Sequence, residues 1–199
     1  MQTFNNNLKK FKDKWFDFME YQPHNGQIKL HFPTKEHARF FVMVCGRRFG
    51  KSTAAAMEAT YYASQPDKRI WLVGLSYDKA DIMFREVWKR MVVGKANDID
   101  KASEKERYIR FKWGSVVEAK SADNPDSLVG AGLDLLVIDE AAKVKRKIWE
   151  MYLSPTLADK KDSKCIFITT PQGFNWIYDL YLLGKSDNLW ESHQAPSWE

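Results

Sequence analysis

The most restrictive feature of the sequence is a short loop that joins an apolar run to an alanine-rich segment. The run FFVMVC covers Phe40–Cys45, the loop reads GRRFGKS, and the residues after it read TAAAM. A buried strand that passes through such a loop directly into a helix presents free backbone amides at the helix start, and these amides bind phosphate. The loop departs from the common G-x-x-x-x-G-K-[ST] pattern because its first glycine is Gly46 rather than residue 45. We therefore predict a phosphate-binding Walker A loop with altered spacing.

The residue types of this loop match the chemistry of a nucleoside triphosphate. A glycine at position 50 lets the backbone approach phosphate oxygens. Lys51 can reach the β- and γ-phosphates as a point charge, and the Ser52 hydroxyl can ligate Mg²⁺. Guanidinium groups inside the loop suit recognition of the γ-phosphate. The residues predicted to bind ATP here are Gly46, Arg47, Arg48, Phe49, Gly50, Lys51, Ser52 and Thr53.

Strands and helices are predicted to alternate along the chain. Continuous apolar runs indicate strands that are covered on both faces of a sheet. The predicted strands are Phe40–Cys45, Ile70–Gly74, Leu133–Ile138 and Cys165–Thr169, and the predicted helices are Ser52–Ala63, Lys79–Val93, Lys145–Leu153 and Asn175–Leu183. This alternation favours an α/β fold with a mostly parallel central sheet flanked by helices. Residues 107–113 and 115–120 flank Gly114 and predict an inserted β-hairpin.

Two later strands end in residues suited to ATP hydrolysis. One runs into Asp139 and Glu140, at the end of a parallel strand where α/β sheets bind ligands. Asp139 can hold Mg²⁺ and Glu140 can orient the attacking water, although exposed acids at a strand end are the simpler alternative. The next strand ends in Thr169 and Thr170, whose hydroxyls suit contact with the γ-phosphate or its water. A plain Thr-Pro-Gly turn explains the same residues equally well.

Composition narrows the class of protein. A chain of 199 residues corresponds to about one domain, and 44% apolar with 14% aromatic residues exclude a mainly disordered chain. No apolar run approaches the roughly 20 residues that span a bilayer, and the N-terminus has no apolar signal core. Two cysteines cannot form a disulfide framework, so Cys45 and Cys165 are predicted to be buried and reduced.

Charge is distributed unevenly along the chain. The net charge is +5, which divides into +9 over residues 1–120 and −4 over residues 121–199. A basic first half favours a polyanionic partner, a nucleotide or a nucleic acid, while a merely solvated charged surface is the alternative. Apolar residues at helical spacing near the N-terminus predict an amphipathic helix that packs against the core. These residues are Leu8, Phe11, Trp15, Phe18 and Met19.

The ordered set of motifs resembles a known family. GRRFGKS, then SADNPDSLVGAGLDLLVIDEAA, then ITTPQG, is similar to the ATPase domain of the large terminase subunit, the genome-packaging motor of tailed bacteriophages, over roughly residues 21–184. The resemblance implies a P-loop NTPase fold of the RecA-like ASCE class. The site residues that it implies are Gln27 as an adenine contact, Arg47 as an arginine acting in cis, Lys51 and Ser52 on phosphate and metal, Asp139 as the Walker B acid, Glu140 as the catalytic carboxylate, and Thr169 and Thr170 as the coupling motif.

The same resemblance implies partners and an organisation. It implies ATP and Mg²⁺ as cofactors. The partners that it implies are double-stranded DNA, other copies of the chain in a homo-oligomeric ring on the procapsid portal, and a small terminase subunit. The protein is expected in the host cytoplasm rather than in the mature virion or a membrane. We expect one ATPase domain over residues 1–199, with an amphipathic helix at 1–20, a core at 21–184, and the start of a lid or linker at 185–199. The nuclease domain that usually follows in this family is expected to be absent.

Two features depart from the family pattern or stay open. Motors of this kind supply an arginine to a neighbour's ATP, and the segment 127–130 carries Val129 where a basic residue is expected. Arg107, Arg110 and Arg146 are the alternatives for that role.

The basic run after Glu140 is a candidate for contacts to the DNA backbone or to a neighbour, or simply a solvated helix start. Its members are Lys143, Lys145, Arg146 and Lys147.

Two other functions fit parts of the sequence. A helicase-type ATPase also carries an acidic pair like Asp139–Glu140, but it needs a second RecA-like domain, for which 199 residues leave no room. A non-hydrolysing module for nucleotide-gated DNA binding or assembly is the alternative from another class. The presence of Lys51 together with both acids argues against it.

Overall fold

The computed structural model of the chain describes residues 2–94, 98–130 and 132–196, with side chains from residue 9 onward. Within these residues, eight strands form one sheet. The strands are β1 (Phe40–Cys45), β2 (Arg69–Gly74), β3 (Ile99–Ser103), β4 (Tyr108–Phe111), β5 (Val116–Ser121), β6 (Leu135–Asp139), β7 (Lys164–Thr169) and β8 (Trp190–Ala195). Their order across the sheet is β3-β4-β5-β2-β6-β7-β1-β8.

Helices cover both faces of this sheet. The α-helices of the described residues are α1 (Gln2–Phe18), α2 (Asn25–His31), α3 (Lys51–Ala63), α4 (Tyr77–Trp88), α5 (Arg146–Ile148) and α6 (Trp176–Ser186). Two of them continue into wider π-helical turns, α4 over Lys89–Val93 and α5 over Trp149–Leu153. The predicted helices after β1, β2, β6 and β7 are therefore present with slightly different ends.

The sheet is mostly parallel, which confirms the predicted α/β class. The strands from β5 through β2, β6, β7 and β1 to β8 run parallel, whereas β4 runs antiparallel to both of its neighbours, β5 and β3. Every residue of β6 is buried. Side chains alternate between two apolar layers, since Ile70 and Leu72 of β2 pack on one face and Trp71 and Val73 on the other. Apolar residues at every position of a strand are the signature of this double burial.

The predicted hairpin is present, but it is part of the central sheet. β4 and β5 pair antiparallel around Gly114, whose φ of +88° suits a glycine. β5 also pairs in parallel with β2 along its full length, so the hairpin extends the sheet rather than standing as a separate insertion. The further edge strand β3 was not predicted, because its sequence IDKAS is polar and only partly buried.

A lid or linker was expected to begin at residue 185, but residues 190–195 form strand β8 of the central sheet. Residues 190–195 pair in parallel with all six residues of β1 and form the last strand of the sheet. The sequence WESHQA lacks the apolar run that marked the inner strands, because an edge strand is exposed on one side. Residues 197–199 lie outside the described part of the chain.

The amphipathic N-terminal helix is present as α1, and its buried face matches the predicted one only in part, since Met19 is buried and Trp15 packs against the core as expected. Phe16 and Lys12 are buried, with 2% and 8% exposure, whereas Phe11 and Phe18 are 70% and 50% exposed. Lys12 takes a core position because its ammonium forms a buried ion pair with α3. The side chain of Leu8 lies outside the described side chains.

Both cysteines are buried, as predicted. Cys45 ends β1 and Cys165 lies in β7, and burial raises the pKa of the Cys165 thiol well above its ordinary value. Among the described residues, no helix combines the length and apolarity needed to cross a bilayer.

Candidate active site

The site lies at the carboxyl edge of the sheet, where three neighbouring strands end together. β6, β7 and β1 are adjacent and parallel, so the residues that follow them meet at one edge. β1 leads into the loop GRRFGKS, β6 ends at Asp139, and β7 ends at Thr169. The topology therefore brings the three predicted motifs together.

The loop turns into α3 through left-handed backbone. Arg48 has a φ of +63°, and Gly50, the residue before α3, has a φ of +81°. A Cβ atom at Gly50 would lie 2.5 Å from Nε2 of Gln27. Both the backbone conformation and the space thus favour glycine at this position.

A segment upstream of β1 holds the loop in place. Nε2 of Gln27 donates to the Gly50 carbonyl oxygen at 3.1 Å, and the Gln27 Oε1 accepts from the His24 amide at 3.2 Å. Nε2 of His24 lies 3.0 Å from the Phe49 carbonyl oxygen, and Nδ1 of His24 accepts from the Gly26 amide at 3.2 Å. We assign the proton to Nε2, because a carbonyl oxygen can only accept. Gln27 therefore lies beside the loop, its predicted contact with adenine stays a prediction, and the sequence pattern did not predict that His24 anchors the loop.

The ring of Phe49 does not line the cleft, so a contact of this residue with the nucleotide would have to come from its backbone. Phe49 is buried, and its ring packs edge-on against His24 with centroids 4.8 Å apart. A Cβ atom at Gly26 would overlap the same ring. Only the backbone of Phe49 can reach a phosphate, because its side chain serves as the apolar anchor of the loop.

The Lys51 side chain reaches back to the start of the loop. Its Nζ donates to the carbonyl oxygens of Cys45 at 3.0 Å and Gly46 at 2.8 Å. The residue is buried, and burial lowers the pKa of Lys51 below its ordinary value. The amide of Gly46 in turn donates to the Ala195 carbonyl oxygen at 3.1 Å, so β8 supports the start of the loop.

The two predicted metal ligands touch each other. The Ser52 hydroxyl donates to Oδ2 of Asp139 at 2.9 Å, although the residues are far apart in sequence. Oδ1 of Asp139 accepts from the Glu140 amide at 2.8 Å. Burial raises the pKa of Asp139, and these two hydrogen bonds oppose that rise. A hydroxyl and a carboxylate in contact form the all-oxygen donor set that Mg²⁺ prefers.

Glu140 and the two threonines predicted to form the coupling motif are joined by hydrogen bonds. Glu140 has left-handed backbone with a φ of +48°. Its Oε2 accepts from the Thr170 hydroxyl at 3.2 Å and lies 3.4 Å from Nζ of Lys143. The buried Thr169 hydroxyl accepts from the Ala142 amide at 3.4 Å and donates to the Thr170 carbonyl oxygen at 3.1 Å. Thr170 therefore reaches the predicted catalytic carboxylate, whereas Thr169 ties the end of β7 to the turn after β6.

These residues enclose one open cleft. Its lining consists of residues that the sequence singled out, namely Arg47, Arg48, Gly50, Lys51, Ser52, Thr53, Glu140 and Thr170. Arg47 and Arg48 are exposed, and neither guanidinium makes an ion pair or hydrogen bond with another described residue. Both remain available to an anion in the cleft.

The basic run after Glu140 divides into engaged and available side chains. The Arg146 guanidinium hydrogen-bonds to Glu150 at 2.7 Å and Asp179 at 3.5 Å. Lys145 and Lys147 are exposed and form no ion pair with a described residue. The other two candidates for an arginine acting on a neighbour are also paired, Arg107 with Asp81 and Arg110 with Asp100, and Val129 is exposed.

Comparison with known proteins agrees with this geometry. The model of the family described as terminase large subunit, T4-like-virus type, N-terminal, matches residues 42–188. The chain belongs to the terminase large subunit family. The terminase large subunit of Thermus virus P23-45 is 31% identical over 220 residues, which covers 94% of this chain and 44% of that protein. The chain thus spans less than half the length of this curated relative.

Solved structures show the same fold. The large terminase ATPase domain of Thermus phage P74-26 superposes with a TM-score of 0.82 at 30% identity, over 94% of this chain and 86% of that chain. A large terminase from a thermophilic bacteriophage, solved in complex with ADP, superposes with a TM-score of 0.66 at 14% identity, over 85% and 44% of the two chains. These matches confirm the predicted P-loop NTPase-like fold and assign the chain to the ATPase domain of the family.

Proposed function

We propose that this chain binds ATP with Mg²⁺ and hydrolyses it, and that the hydrolysis drives double-stranded DNA into a viral procapsid. The observation that carries the proposal is the contact between Ser52 and Asp139 beside Glu140. This contact joins the phosphate loop to the acidic strand in the arrangement that a hydrolysing P-loop enzyme requires. The large terminase of the thermophilic bacteriophage, whose structure is solved with ADP and with ATP-γ-S, supports the choice of nucleotide.

The residues fit a magnesium ion. Ser52 and Asp139 supply a hydroxyl and a carboxylate in direct contact. The described residues contain no group of three or more His, Cys, Asp or Glu side chains placed to hold a metal. Mg²⁺ commonly uses one or two protein oxygens and completes its shell with phosphates and water. When bound, the ion neutralises charge on the β- and γ-phosphates.

Each of the other cleft residues has a role in the proposal. Lys51 and the loop amides bind the phosphates, and Arg47 stabilises the charge that spreads over the γ-phosphoryl oxygens. Glu140 orients the attacking water and accepts its proton, and Thr170 holds the carboxylate through its hydroxyl. Gln27 contacts the adenine from its place beside Gly50. Because the side-chain amide of Gln27 is hydrogen-bonded to the loop, its contact with adenine would also depend on the conformation of the loop.

Activities of the whole protein enter as proposals from family membership. The chain would work in a homo-oligomeric ring on the procapsid portal, together with a small terminase subunit, in the host cytoplasm. Lys145 and Lys147 are the exposed cations of the basic run and would contact the DNA backbone. Lys143 precedes them in the chain and forms an ion pair with the proposed catalytic carboxylate. Arg146, which is held by two acids of its own chain, is a weaker candidate.

The proposal is tested by the rate of phosphate release with and without double-stranded DNA. We expect Glu140→Gln to lower kcat by at least about a hundredfold, because it removes the group that handles the proton. Lys51→Ala should cause a comparable loss, because it removes a charge that stabilises the transition state. DNA should raise the rate of the unaltered chain.

Matched controls keep the result specific. Glu36→Gln and Lys161→Ala make the same chemical changes at exposed residues away from the cleft and should leave the rate unchanged. Undiminished turnover in both cleft variants would refute the assignment. ATP binding without phosphate release by the unaltered chain, even with DNA, would favour a non-hydrolysing nucleotide-gated module.

A further inference from the structure

A lysine of the basic run touches the carboxylate that the proposed reaction uses. Nζ of Lys143 lies 3.4 Å from Oε2 of Glu140. The same oxygen accepts the Thr170 hydroxyl at 3.2 Å. One oxygen of Glu140 thus has two neighbours, a neutral hydroxyl that donates a hydrogen bond and an ammonium that forms an ion pair.

The Thr170 hydroxyl and the Lys143 ammonium act differently on a carboxylate that must bind water. Thr170 stands at the end of β7, and its neutral hydroxyl can orient the carboxylate without cancelling its charge. The ammonium of Lys143 competes with water for the oxygen and for the negative charge that attracts a proton. Lys143 therefore restrains the group that Thr170 aligns.

Lys143 has a fixed backbone and a movable side chain. Its amide donates to the Glu140 carbonyl oxygen at 2.8 Å, and the neighbouring Ala142 amide donates to the Thr169 hydroxyl. The Lys143 side chain is 46% exposed, and Glu140 is the only acid among the described residues with which it forms an ion pair. A half-exposed ion pair of this kind is weak and easily exchanged for another anion.

The surroundings of Lys143 attract a polyanion. Lys145 and Lys147 follow it on the same short segment, and both are exposed. A polymer of closely spaced phosphates that binds these cations would also offer an oxygen to Lys143. The basic segment and the catalytic carboxylate are thereby linked through one side chain.

We propose that Lys143 is a positioning residue that restrains Glu140 until the phosphate backbone of DNA draws its ammonium away. The proposal rests on the function proposed above and adds a route by which DNA binding speeds hydrolysis. The restraint is one exposed ion pair, so its release should change the rate by roughly two- to fivefold. ATP affinity should not change, because Lys143 lies outside the phosphate loop.

The test compares kcat and the KM for ATP in the unaltered chain, Lys143→Gln and Lys143→Arg, each with and without linear double-stranded DNA. Lys143→Gln should raise the DNA-free kcat by roughly two- to fivefold and reduce the stimulation by DNA by the same factor, with KM unchanged. Lys143→Arg keeps the cation and should behave like the unaltered chain. Lys161→Gln, an equal change at a remote exposed lysine, should leave the DNA-free rate as it was.

Two outcomes overturn the inference. A DNA-free kcat of Lys143→Gln at or below that of the unaltered chain, with ATP binding intact, would show that Lys143 does not restrain Glu140. A raised rate that survives in the double variant Lys143→Gln/Glu140→Gln would show that Lys143 does not act through Glu140. The proposed function fails separately, by full turnover of Glu140→Gln alone.

Discussion

Removing one carboxylate from the back of the phosphate-loop helix should destabilise the whole domain. Glu58 lies in the middle of α3 with 3% exposure, and its Oε1 is 2.6 Å from both Nζ of Lys12 and Nδ1 of His31. Nζ of Lys12 also donates to the His31 carbonyl oxygen at 2.8 Å, and Tyr21 places its hydroxyl 3.0 Å from Nε2 of His31. This cluster ties α1 and α2 to α3.

The perturbation is Glu58→Gln, which keeps the shape of the side chain and removes its charge. Lys12 would remain buried with no ion-pair partner among the described residues. Breaking a buried pair by removing one partner costs about 3–5 kcal/mol of unfolding free energy. For a domain of this size, that loss corresponds to a fall in Tm of roughly 6–20 °C.

The assay is chemical and thermal unfolding followed by circular dichroism. Glu150→Gln serves as the matched control, because Glu150 pairs with Arg146 on the surface and its loss should leave the midpoint unchanged. Adding Lys12→Met to Glu58→Gln removes the stranded charge and should recover most of the lost stability. The reasoning is refuted if Glu58→Gln has the same unfolding midpoint as Glu150→Gln, or if adding Lys12→Met to Glu58→Gln lowers the midpoint further.

The same cluster sets the direction of the pH dependence. Burial alone raises the pKa of Glu58, but Lys12 and His31 outweigh it and hold that pKa below its ordinary 4.5. Burial lowers the pKa of His31 below 6.5, by more than the contact with Glu58 raises it. Both groups bind protons more readily in the unfolded chain, so the stability that they supply is present above pH 6.5. It should decline as the pH falls through 6.5 and then 4.5, and the part of the loss near pH 4.5 should be smaller in the Lys12→Met/Glu58→Gln variant, which no longer carries the Glu58 carboxyl.

Two further predictions concern the cleft. Thr170→Val removes the hydroxyl that holds Glu140 and should lower kcat by roughly tenfold with ATP binding unchanged, whereas Thr170→Ser should keep the rate. A kcat equal to that of the unaltered chain in Thr170→Val would show that this bond does not position the carboxylate. Gly50→Ala should weaken ATP binding and destabilise the fold by about 1–2 kcal/mol, because of its positive φ and its approach to Gln27. Gly130→Ala is the control, because Gly130 also has a positive φ but an added Cβ atom there would have no neighbour within 4 Å. If Gly130→Ala weakened nucleotide binding as well, the effect of Gly50→Ala would come from backbone strain and not from the phosphate loop.

Features that depend on neighbouring residues in the chain were predictable. The apolar run Phe40–Cys45 is β1 with the same bounds, and α3 begins one residue before its predicted start. The acids Asp139 and Glu140 stand at the end of β6 as expected. In each case the pattern records a local requirement, burial of a strand on both faces or free amides at a helix start.

Features at the edges of the sheet were not predictable in the same way. β3 and β8 are polar edge strands, so no apolar run marks them, and β8 is held by pairing with β1, which is remote in sequence. Phe49 was assigned to the nucleotide because it lies within the loop, yet its ring is buried against His24. The identity of a loop residue does not reveal which way its side chain points.

The sequence alone determined which residues are candidates for the chemistry of this protein: a predicted phosphate loop, two acids at the end of one strand and hydroxyls after the next strand, all carried by local patterns. Only the tertiary structure decided how they meet. Ser52 touches Asp139, Thr170 and Lys143 share an oxygen of Glu140, and these contacts arise because parallel strands end at a common edge. Contacts between residues distant in the chain depend on sheet order and register, which no single segment encodes.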